Sequence, residues 1–153
     1  MLREAHNVGK NMLKLDTSGF DEYVAKFQKL GADLRPIFTD ALTQAAETIT
    51  EDTIEGMKDQ YLPAHGEYHH TGRPTEKSIV THPEVTWNGT VAEVAVGFDF
   101  SKPGAGGFLI TGTPRMSPDK KLNQIYKGKR YMSNIKNDMI NVFNDEIQRR
   151  MGG

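Results

Sequence analysis

From residue 20 to residue 57 the apolar residues of this chain recur at helical spacing, and one proline stands inside the run. Phe20, Tyr23, Val24, Phe27, Leu30 and Leu34 form a first stripe, and Ile37, Phe38, Ala41, Leu42, Ala45, Ala46, Ile49, Ile54 and Met57 continue it. Pro36 has no amide proton and its ring clashes with the preceding turn. It therefore breaks or kinks the helix, or restarts it from a first-turn position. Ser18, with Asp21 three residues on, reads as the N-cap and capping-box acid of the first segment. An apolar face this long must be covered, so the remaining chain has to supply the cover.

Much of that remainder reads as short strands. "MLKLD" (12–16) suits a short edge strand, and "KSIVTH" (77–82) a strand stopped by Pro83. "EVTW" and "TVAEVAVGF" (90–98) flank Asn88-Gly89, a strong hairpin signal. "FLITG" (108–112) is a further expected strand. A last helix, about 131–151, presents Ile135, Met139, Val142, Phe143, Ile147 and Met151 and ends beside Gly152. The expected fold is α+β, within a single domain over 1–153. A small antiparallel β-sheet packs against a long N-terminal helix, kinked or broken near Pro36, and a C-terminal helix. Two long loops are expected, 61–75 and 113–130, the second with at most one helical turn near Leu122–Tyr126. Ordering fifteen loop residues costs on the order of 15–30 kcal/mol, so contacts with neighbouring subunits are the expected compensation.

Charge is balanced overall, at 19 basic and 20 acidic residues, which argues against a protein that grips nucleic acid by bulk charge. Its distribution is uneven. Residues 20–60 hold nine acids and four bases, whereas 115–136 hold Arg115, Lys120, Lys121, Lys127, Lys129, Arg130 and Lys136 against Asp119 alone. A molecule with acidic and basic ends can stack head to tail on copies of itself or on a charged partner.

The chain has no cysteine, which removes disulfide and thiol chemistry. No apolar run approaches the ~18 residues of a membrane span, and residues 1–16 lack the apolar core of a signal peptide, so a soluble protein made in the cytoplasm is expected. The densest group of potential ligands is "AHGEYHHTGRP" (64–74), with His65, Glu67, His69 and His70, and with His82 and Glu76 further on. Pro63, Gly66, Gly72 and Pro74 argue against a helix here, so the spacing of His65 and His69 does not place them on one face. Ser78 and His82 have no evident acid partner, and "GAGG" (104–107) precedes an expected strand, not a helix that would hold phosphate. No metal, no cofactor and no catalysis are expected. A metal-dependent hydrolase using the His65–His70 loop, or a small cytoplasmic regulator, are the readings of a different class.

Taken in order, "GFDEYVAKFQKLG" and the long helix after it, "TGRPTEKSIV", "VAVGF", "GGFLITGTPRM" and the amphipathic C-terminal helix resemble a family of tailed-bacteriophage neck proteins, variously called tail-completion, head–tail joining or minor tail component proteins. Thr71-Gly72 and Ser78-Ile79 bracket the end of the family's loop, Val96-Gly97 matches its strand ending, and Phe108 with Gly112-Thr113 matches its last motif. Ile110 stands where the family has glutamate, and "SPDKKLNQIYKG" replaces its usual proline-containing run. The resemblance spans about residues 18–116. It implies a virion structural protein without enzymatic activity, assembled in the host cytoplasm. Copies would form a ring, expected to be hexameric, in the neck between head and tail. The implied partners are a head-side connector or head-closure protein and a tail-terminator or tail-tube protein, with DNA passing through the channel unread. A tail-terminator or head-closure ring of similar fold is the nearest alternative. Interface candidates on this reading are Thr71, Gly72, Phe108, Gly112, Thr113, Arg115, Lys120, Lys121, Lys127, Lys129 and Arg130.

Overall fold

A computed structural model describes residues 2–4, 13–58, 77–89, 91–99, 101–102, 106–112, 114 and 117–152. Among these residues the strands are β1 (Leu2–Glu4), β2 (Leu13–Asp16), β3 (Thr86–Asn88) and β4 (Val91–Val96). The helices are α1 (Asp21–Lys29), α2 (Leu34–Lys58), α3 (Gly106–Thr111), α4 (Lys120–Lys127) and α5 (Lys129–Gly152). The fold is α+β, with an antiparallel sheet in the order β1-β2-β4-β3.

The sheet follows from alternation. Ala92, Val94 and Val96 of β4 are buried with Leu13 and Leu15 of β2, on the face that meets α2. On the other face Lys14 reaches Glu93 at 3.6 Å. Leu13 pairs with Val96 and Leu15 with Val94, which makes β2 an interior strand where an edge strand was expected. Asn88 pairs with Val91, and Gly89 between them takes φ +64, a left-handed conformation that glycine adopts without a Cβ penalty. "KSIVTH" forms no strand. Its contribution is a bridge from Ile79 to Phe98, with the Val80 amide donating to the Gly97 carbonyl and the Asp99 amide to that of Ser78.

The two long apolar stripes form the core. α1 ends at Lys29, and α2 restarts at Leu34 with the Asp33 carboxylate accepting from the Arg35 amide, so Pro36 falls in the first turn. Phe20 takes the N-cap position of α1. Ser18, expected there, instead gives both its amide and its hydroxyl to Asp16 Oδ1, a local turn that competes with helix capping. α5 runs antiparallel to α2, its start beside Asp52 and its end beside Ile37. Phe143 of α5 lies against Phe20, Tyr23, Phe27 and Phe38, with ring centroids 4.7–6.1 Å away. Ile54 and Met151, expected in the core, are exposed at 38 % and 72 %.

Two sequence expectations fail at the C-terminal side. "FLIT" of that run lies in α3 and is helical, with Leu109 and Ile110 buried and Gly112 just beyond the helix. Its carbonyls find partners across the next connection: Leu109 O accepts from the Asp119 amide and Ile110 O from the Asn123 side chain. A short apolar run fits strand and helix alike, and here tertiary hydrogen bonds decide. The segment 113–130 is not a structureless loop either. Its part from Lys120 on holds α4 and the start of α5, and Asp119 caps α4 by accepting from the Leu122 amide at 2.8 Å. The loop expected at 61–75 lies outside the described residues.

Candidate assembly surfaces

α4 is a small amphipathic helix laid over the C-terminal half of α2. Leu122, Ile125 and Tyr126 are buried, whereas Lys120, Lys121 and Lys127 are exposed. The close contact depends on Gly56 of α2, where an added Cβ would stand 3.1 Å from Leu122 Cδ2. Two tyrosines tie the corner down. Tyr126 OH lies 2.6 Å from Thr53 Oγ1. The single Thr53 hydroxyl proton goes to the Ile49 carbonyl, so Tyr126 is the donor. Tyr131 OH, at the start of α5, donates to Asp52 Oδ2 at 2.6 Å.

The result is a rigid basic corner. One residue, Gly128, separates α4 from α5, so Lys120, Lys121 and Lys127 of α4 and Lys129 and Arg130 of α5, all five exposed, lie along one continuous helix–glycine–helix segment. Among the described residues, Lys120, Lys121, Lys129 and Arg130 have no carboxylate partner. This pairing of the α4 lysines with those of α5 was not legible in the sequence, where α4 read as loop. The "PD" before "KKL" was the signal for it, since Asp before an apolar-periodic run marks a helix start.

The outward face of α2 has the opposite sign. Asp40, Glu47 and Glu51 recur along it with the exposed Ile54. Gly56, under α4, is nine residues on from Glu47, about two and a half turns and hence the other side of the helix. The acidic row and the basic corner therefore lie on opposite sides of α2.

The remaining interface candidates are placed less fully. Gly112, at φ 77, follows α3, and Phe108 lies within that helix. Thr71, Gly72, Thr113 and Arg115 lie outside the described residues, as do His65, Glu67, His69 and His70. Among the described residues no group of three or more His, Cys, Asp or Glu is placed to hold a metal ion, and no helix is long and apolar enough to cross a membrane. Ser78 is buried and His82 exposed, and they do not share a strand. A cleft of about 240 Å³ between α1 and the β3–β4 hairpin is lined by Val24, Leu34, Phe38 and Trp87, with Asp21 and Thr17 at the polar margin. Trp87 is fixed there by its indole N–H on Thr39 Oγ1 and by the Arg35 guanidinium over its ring.

No family model, curated protein or solved structure matches this chain.

The tyrosine anchors give the corner a pH dependence. Burial pushes the Tyr126 phenol up to about 12, against a smaller opposing effect of Thr53. Burial and the Asp52 carboxylate also raise that of Tyr131. An unfolded tyrosine ionises near 10, so the folded state holds the Tyr126 proton more tightly. Its contribution is complete below pH 10 and is lost as pH rises to 12, on the order of 3 kcal/mol. Urea midpoints should fall over this range in the wild type and fall less in Tyr126→Phe. Identical pH profiles for the two would refute the assignment.

Proposed function

We propose that this chain is a structural protein of the tailed-phage neck, a ring of identical copies that joins the DNA-filled head to the tail. The ring is expected to be sixfold, with a head-side connector and a tail-side terminator or tube protein as its other partners. One observation carries the reading. Two of the short motifs on which the resemblance rests, Ser78-Ile79 and Val96-Gly97, stand on either side of the β3–β4 hairpin and form one joint. There Ile79 bridges Phe98 and the Val80 amide bonds the Gly97 carbonyl at 2.8 Å. The α+β architecture is compatible with the reading.

Loss of the protein in a phage that encodes it should leave filled heads and tails of normal length that fail to join. Purified protein added to such an extract should restore joined particles. Overlong tails would instead assign it as a tail terminator, because that ring stops tube growth. Normal virions without the protein would refute the proposal. Zinc bound near one equivalent, with activity lost on chelation, would favour a hydrolase built on the His65–His70 loop.

A further inference from the structure

We infer that the contact between neighbouring copies is heterologous, with the basic corner at the α4–α5 junction of one copy seated on the acidic outward face of α2 of the next. The inference rests on the ring reading and names the surfaces that build the ring. Lys120, Lys121, Lys129 and Arg130 supply the basic side, and Glu47 and Glu51 the acidic side. All six are exposed and, among the described residues, none is ion-paired within its own chain.

Three observations converge. The two faces are complementary in charge, and complementary potentials steer partners together and set their register. They lie on opposite sides of α2, so they cannot satisfy each other within one chain. A two-fold dimer that matched like surface with like would set acid against acid or base against base. Head-to-tail addition pairs every acidic face with a basic one, and it closes into a ring where the rotation between copies divides a full turn without rise, running on as a filament otherwise. Ile54, 38 % exposed, completes the argument, because it stands one turn beyond Glu51 on the acidic face. An apolar side chain among carboxylates suits a partner whose lysines bring aliphatic stems as well as charge. The corner itself is rigid, held by Tyr126 on Thr53 and Tyr131 on Asp52, so little order has to be acquired on docking.

Charge reversal tests the contact on the purified full chain, with assembly followed by sedimentation at low and high salt. Lys120→Glu with Lys121→Glu should weaken self-association at least about tenfold, and Glu47→Lys with Glu51→Lys should do the same. All four substitutions in one chain should recover part of the loss, because positions 120 and 121 are then complementary to 47 and 51 again with the signs exchanged, while Lys129 and Arg130 keep theirs. An equimolar mixture of the two double variants should also assemble, by alternation. Wild-type association should weaken at high salt. Each replaced side chain is exposed, so Trp87 fluorescence and helical content should not change.

Loss with the lysine variant of which the fourfold variant recovers no part would overturn the inference and point to DNA or another protein at the corner. Wild-type rings indifferent to both reversals would overturn the contact while leaving the ring reading standing. A wild-type chain that stays monomeric at millimolar concentration and low salt would overturn both.

Discussion

Replacing Phe143 by alanine should lower the melting temperature by roughly 6–20 °C, from a loss of about 3–5 kcal/mol at about 2–4 °C per kcal/mol for a domain of this size. The ring is fully buried and is where three helices meet. It stands edge-on to Phe20 at 5.2 Å and to Phe27 at 6.1 Å, and it lies tilted against Phe38 at 4.7 Å and Tyr23 at 5.3 Å. Truncation removes both the transfer energy of the ring and its aromatic pairings. The cavity left behind is walled by other rings that cannot collapse far. Phe143→Leu, which keeps most of the volume, should cost far less. A loss below about 1 kcal/mol in Phe143→Ala would mean that α5 is not anchored at this point.

The second large effect is expected at Gly128. Here the reason is space, since its φ of −78 is open to any residue. A Cβ would stand 2.4 Å from the Gln124 carbonyl oxygen, a backbone atom of α4 that cannot rotate aside. Gly128→Ala must therefore displace α4 against α5, at a cost of about 1–3 kcal/mol by analogy with overpacked cores. That displacement moves Lys120 and Lys121 relative to Lys129 and Arg130. Self-association should fall with stability, although no charge has changed. Gly152→Ala, where nothing lies within 4 Å, is the control and should be neutral. Urea unfolding of both variants measures the difference. A Gly128→Ala protein as stable and as self-associating as the wild type would show that the joint is looser than its geometry implies.

Where a sequence pattern has one physical reading, it predicted the structure well. The 3.6-residue recurrence from Ile37 to Ile49 and from Ile135 to Phe143 identified α2 and α5, because burial of one helical face is what produces that period. Asn88-Gly89 marked the hairpin because few residues take a positive φ without cost. Where a pattern has two readings, local reasoning failed. "FLITG" is β-branched and apolar enough for a strand, yet α3 forms because α4 offers partners for its terminal carbonyls. Ser18 has the chemistry of an N-cap, but Asp16 two residues earlier competes for it. Ile54 and Met151 fit the period and still face outward, since a stripe does not reveal how far along it the cover extends.

The assembly surfaces divide in the same way. Counts of charge along the sequence determined that 115–136 is basic and 20–60 acidic. The helical period then puts Asp40, Glu47 and Glu51, though not Asp52, on one face of α2. Only the tertiary structure decided that α4 exists as a helix over Thr53 and Gly56, on the side of α2 away from Glu47 and Glu51. Charge is a property of each residue and can be summed without coordinates. Whether two charged faces point the same way or opposite ways depends on long-range packing, here a buried tyrosine hydrogen bond across 73 residues and a glycine that lets two helices approach. No local pattern encodes it.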